Sequence, residues 1–116
     1  MAPIDLGSYK NIYLKTAKEY VDKISISLDQ LSSDVSNKDA LNNLHIASHS
    51  LKSQSQVMGF TNIASLSESI EKTANEALGK GRQINSDLIS VLKKSVEELS
   101  LFLSQIQKGD AETSSA

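Results

Sequence analysis

The chain has 116 residues, 39% of them apolar, enough for one compact domain that closes its own core without covalent staples. It contains no cysteine, which excludes disulfides, thiolate metal centres and thiol chemistry. Twelve basic residues stand against fourteen acidic ones for a formal charge of -2, and apart from the pair Lys93-Lys94 the basic residues are scattered singly, so no footprint for a nucleic-acid backbone is present.

Met1 to Gly7 lacks the charged and apolar regions of a signal peptide, and no apolar run is long enough to cross a bilayer. The expectation is a cytoplasmic protein with no membrane or nucleic-acid partner. The single proline is Pro3, so nothing beyond it interrupts a long helix. Ser8 is placed to cap a first helix with apolar positions Tyr13, Ala17, Tyr20, Val21, Ile24, Leu28 and Leu31, ending near Ser33. Ser32 to Asn37 suits a short connection with a cap, and Asp39 favours the first turn of a second helix that runs to Met58.

Gly59 supplies the left-handed residue that commonly ends a helix, and Thr61 is placed to cap a third helix carrying Ile63, Leu66, Ile70, Ala74 and Ala77. Gly79-Lys80-Gly81-Arg82 breaks the pattern. Asn85 or Ser86 then caps a fourth helix with Leu88, Leu92, Val96, Leu99, Leu103 and Ile106 in near-heptad spacing. One apolar stripe per helix and short loops predict an all-α, up-down antiparallel four-helix bundle over residues 1–108. The segment 109–116 has no core residue and reads as a polar, disordered tail or the start of a linker.

The run from His49 to Gly59 carries the chemistry. At about 100° per residue, Leu44, Ala47, Leu51 and Met58 cluster nearly opposite His49, which therefore points away from the bundle's centre. His45, Lys52, Ser53 and Gln56 lie on its side as a polar stripe. Taken alone, such a stripe is what any solvated helix face shows. An exposed imidazole becomes a nucleophile toward phosphorus when one ring nitrogen is unprotonated and the other holds its proton in a hydrogen bond.

Lys52 is placed to offset phosphate charge. Helix three offers Glu68 and Glu71 as orienting groups, and Glu71, adjoining the core residue Ile70, is the better placed at the edge of the interface. Spacing alone leaves open an ordinary boundary glutamate. Ser53 and Ser55 are small enough to let a partner's active site approach, or are plain packing residues. His45 and His49 have the separation of two zinc ligands on one helix face, but no fixed third ligand is evident and no metal is expected.

His49, Leu51, Lys52, Ser55 and Gly59 fit the motif of histidine phosphotransfer (HPt) domains: His, any residue, Leu, Lys, Gly, any residue, small, then Gly four residues later. The sequence resembles that family over about 100 of its 116 residues, most of all the N-terminal phosphoacceptor domain of chemotaxis-type histidine kinases. Ala47-Ser48-His49-Ser50-Leu51-Lys52 and the continuation Gly59-Phe60-Thr61 carry that likeness. Ser53 departs from it, standing where the family usually has glycine.

The resemblance implies a phosphocarrier that accepts a phosphoryl group at Nε2 of His49 and passes it to a receiver-domain aspartate. It also implies that a glutamate twenty-two residues on, here Glu71, holds the imidazole. Implied partners are the receiver domain of a response regulator and the catalytic domain of a histidine kinase, approaching a surface that includes His45, Ser53, Gln56, Gly59 and Glu68. No cofactor is implied, and with no glycine-rich nucleotide loop the chain is expected not to phosphorylate itself. The rival reading is a structural or adaptor bundle that docks such partners without carrying phosphate.

Overall fold

The computed structural model describes residues 6–79 and 83–109. Four helices follow in order: α1 (Leu6–Ser33), α2 (Lys38–Met58), α3 (Thr61–Gly79) and α4 (Ser86–Gln107). α2 packs most extensively on α3 and then on α1, α4 lies along α1, and α3 meets α4 only lightly. The architecture is the expected all-α antiparallel bundle. Lys80 to Arg82 and the tail beyond Gly109 lie outside the described residues, so the expected tail or linker at 109–116 falls there almost entirely.

The two turns that are described in full have local causes. After α1, the Asp34 carboxylate accepts from both the backbone N–H and the hydroxyl of Ser36, at 3.0 and 2.6 Å, which folds the chain back within a few residues. Asn37 then caps α2 by accepting from the Ala40 N–H at 3.0 Å, and Asp39 adds a charge favourable to the helix N-terminus. Gly59 adopts φ 80°. Its N–H reaches the Gln56 carbonyl at 3.1 Å while the Phe60 N–H reaches that of Ser55 at 2.9 Å, the paired arrangement that closes a helix on a left-handed residue.

Two helix starts differ from the sequence expectation. α1 extends back at least to Leu6, so Ser8 lies inside its first turn and is not a cap. Thr61 is the first residue of α3 and not its cap, because the Ala64 N–H bonds the Phe60 carbonyl at 3.0 Å. Phe60, which directly follows the left-handed Gly59, therefore occupies the capping position itself. Before α4, Asn85 and not Ser86 caps, accepting from the Leu88 N–H at 2.8 Å. The flanking Ile84 and Ile89 are both buried, as positions that clamp a helix entry should be.

The core runs through Ile24, Leu28, Leu31, Leu44, Leu51, Ile63, Ile70 and Leu99. Tyr20, Met58, Leu66, Ala77, Leu88 and Val96 border it, half-buried. Small buried residues crowd α2 and α3: Ser48 and Ser55 on one, Ala64, Ser67 and Ala74 on the other. Ser48 and Ser67 donate their hydroxyls to the carbonyls of Leu44 and Ile63 one turn back, so burial leaves them satisfied. Small side chains at a helix contact shorten the interaxial distance. From the α2–α3 contact Glu71 reaches the outer face of α2.

Candidate functional site

The α2 periodicity that buries Leu44, Ala47 and Leu51 turns His49 outward, and its side chain is 56% exposed. Across the α2–α3 contact, Glu71 follows the fully buried Ile70 and stands at the edge of the interface, 14% exposed. Its two carboxylate oxygens are shared out. Oε2 accepts from Nδ1 of His49 at 2.5 Å, and Oε1 accepts from Nζ of Lys52 at 2.6 Å. An ionised carboxylate only accepts, which assigns the shared proton to Nδ1. In the neutral ring Nε2 therefore keeps its lone pair, and no protein group is bonded to it among the described residues.

Charges reinforce the arrangement. Burial pushes the Glu71 carboxyl up, but the hydrogen bonds from Lys52 and His49, with their charges, outweigh it and hold the group below its ordinary value. The bond to Glu71 raises the Lys52 ammonium above its ordinary value, burial opposes that, and the charges of Glu71 and Glu68 add to it. Both groups therefore stay ionised at neutral pH. A cation is thus held one turn from a ring nitrogen that carries a free electron pair, a combination suited to receiving a phosphoryl group.

The structure brings together His45, His49, Lys52 and Glu71. The His45 ring lies 17° from parallel to that of His49 with centroids 6.3 Å apart, and its Nε2 is 3.7 Å from Oε2 of Glu71. Glu68 is exposed on α3 and acts on Lys52 through its charge. Gln56 is exposed one turn beyond Lys52, and Gly59 closes the helix. Ser53 departs from the polar stripe: it is half-buried on the α1 side, in a groove with Tyr9, Ile12 and Val57.

Ser55 is not beside the histidine at all. It is fully buried and shares a 2.8 Å hydrogen bond with the Tyr13 hydroxyl of α1, so it packs the core and gives no partner access. Ile46 and Val57, 61% and 87% exposed, flank His49 on the α1 side, and their place off the apolar stripe is the sequence signal that could have singled them out. Among the described residues no group of three or more His, Asp or Glu is arranged to hold a metal ion, and no helix is long and apolar enough to cross a membrane.

The chain is similar to known proteins along most of its length. It is 23% identical over 106 residues to the chemotaxis protein CheA of Bacillus subtilis, covering 91% of this chain and 16% of that protein, so it spans about a sixth of the length of this relative. Its backbone superposes on the CheA phosphotransferase domain from Thermotoga maritima with a TM-score of 0.81 at 24% identity, covering 86% of this chain and 95% of that domain. A protein with a redesigned hydrophobic core, solved in solution by NMR, gives 0.80 at 20% identity, covering 94% of this chain and 95% of that one. These two likenesses concern the fold. The model of the Hpt domain matches residues 8–102, through all of α2 and α3 and most of α1 and α4, and the chain belongs to the Hpt domain family.

Proposed function

We propose that this chain is a cytoplasmic phosphocarrier of two-component signalling, with His49 as its acceptor. Nε2 of His49 takes the phosphoryl group from a histidine-kinase catalytic domain or a phosphorylated receiver and yields it to an aspartate of a receiver domain. Glu71 fixes the proton on Nδ1, Lys52 offsets the incoming charge, and Gly59 sets the turn that presents α3 to α2. His45, Gln56, Gly59 and Glu68 form the rim that the partner meets, with Ser53 at its α1 edge. The carrier domain covers residues 1–108, with 109–116 as tail or linker.

What carries this reading is the bond from His49 Nδ1 to Glu71 Oε2 at 2.5 Å on a ring that is 56% exposed. A solvated surface histidine needs no carboxylate on its inner nitrogen. A nucleophilic one does, because only then is the outer nitrogen the one with the lone pair. The chain supplies a positioned nucleophile and a charge partner, while nucleotide and Mg²⁺ belong to the kinase or receiver.

The test uses potassium phosphoramidate as donor, with ³¹P NMR and mass spectrometry as readouts. The wild-type chain should gain one acid-labile phosphoryl group on Nε2 of His49, and His49→Gln should gain none there. Equal labelling of the two proteins would end the assignment and leave the adaptor reading in its place.

A further inference from the structure

The α2–α3 strip carries one more imidazole than acceptance at His49 uses. His45 Nε2 lies 3.7 Å from Oε2 of Glu71, the oxygen that already receives the His49 proton, while Lys52 holds Oε1 at 2.6 Å. A separation of 3.7 Å feels charge but makes no hydrogen bond. One carboxylate thus has two bonded partners and a third within reach. The His45 side chain is 34% exposed, so solvent protons can reach it.

With His49 as the phosphoacceptor, the reading on which this inference rests, attack of the Nε2 lone pair on phosphorus forms the Nε2–P bond as the bond from phosphorus to the leaving oxygen breaks. That oxygen keeps the electron pair, and the Nδ1 proton remains with the Glu71 pair. A dianionic phosphoryl group now stands within side-chain reach of Lys52, three positions further along the helix. Two negative charges attract a flexible ammonium more strongly than one, and Lys52 is drawn away from Oε1.

We infer that His45 is a positioning residue for the phosphorylated state: as Lys52 turns to the phosphoryl group, His45 takes a proton from solvent and holds the Glu71 carboxylate in its place. The carboxylate then keeps its grip on Nδ1–H of the phosphorylated ring. The ionisable groups around His45 favour this. Beside His45 are His49 and Glu71, while Lys52 lies further along α2 and Glu68, Lys72 and Glu76 are the other ionisable residues in the middle of α3. Of these, Glu71 lies within ion-pair distance of His45. α1 brings Lys23 to α2 beside Asn43 and Ile46, on the flank turned away from His45. Phosphorylation adds negative charge to this set and draws Lys52 off the carboxylate that His45 approaches, and both changes favour an imidazolium at His45.

The experiment follows the histidine rings of the full chain, ¹³C- and ¹⁵N-labelled, through a pH titration by NMR before and after reaction with potassium phosphoramidate. With phosphorus located on His49, the His45 titration midpoint should rise by roughly half a pH unit or more, about a threefold gain in proton affinity. In His45→Gln, which removes the ionisation and keeps an N–H donor, the rate of phosphoryl loss from His49 should lose its dependence on pH through the range where His45 titrates in the wild type. A labelled His49 with an unmoved His45 midpoint overturns the inference and leaves the phosphocarrier reading standing. Phosphorus on His45 overturns it as well, and no phosphorus on His49 takes down both.

Discussion

Tyr13 and Ser55 lie forty-two positions apart and share a 2.8 Å hydrogen bond in the interior, just beneath the turn at Gly59. The Tyr13 ring also packs against Phe60, with centroids 5.1 Å apart. One side chain of α1 thereby ties together the last turn of α2 and the entry to α3. Tyr13→Phe keeps the ring and removes the hydroxyl, and it should lower stability by about 1 kcal/mol because a buried Ser55 loses its partner. Urea denaturation measures this, and an unchanged midpoint would show that Ser55 satisfies itself on its own helix.

Lys52→Ala removes the cation beside His49 without touching the core. Phosphoryl uptake from phosphoramidate should slow by about tenfold, with the helical circular dichroism unchanged. Uptake at the wild-type rate would take Lys52 out of the site.

Glu71→Gln keeps the size of the side chain and discards its charge. The ¹⁵N shifts of the His49 ring should then show the proton moving from Nδ1 toward Nε2, and labelling at Nε2 should slow with it. If the tautomer balance stays where it is, the ring is oriented by something other than this carboxylate.

Acid should weaken the same pair. Glu71 lies below its ordinary value of 4.5, so its pairing contributes stability that is present above that pH and is lost as the pH falls through the lower folded-state value. Lys52 lies above its ordinary value of 10.5, so its share is present below that pH and lost as the pH rises through the raised value. The stability gap between wild type and Glu71→Gln, read by urea unfolding from neutral to strongly acid pH, should therefore narrow toward the acid end. A constant gap would contradict the charge pairing.

At Gly59 a Cβ would meet nothing within 4 Å, so its substitution tests backbone conformation alone. Gly59→Ala must hold φ near 80° and should cost about 1 kcal/mol, with Gly59→Asn losing less. Equal stability for all three proteins would mean that the turn has relaxed to another shape.

The four helices are legible in the sequence because each carries one apolar stripe, and Asn37, Gly59 and Asn85 punctuate it with side chains or conformations that act locally. The outward face of His49 follows from the same periodicity, and the edge position of Glu71 follows from its place beside Ile70. Beyond the pairing of Glu71 with His49, contacts across the bundle are not legible. Ser55 reads as a small neighbour of the histidine until Tyr13 is brought from another helix, and Ser53 reads as part of the polar stripe until α1 closes on it. The approach of His45 to Glu71 depends on how α3 sits against α2, which no single helix encodes.

The unequal contacts of α4 have a mechanical side. It leans on α1 and brushes α3, while the histidine and its carboxylate are mounted on α2 and α3. A tug or twist transmitted by packing from α4 therefore falls mainly on α1, the helix that carries no part of that mount, and less on α3.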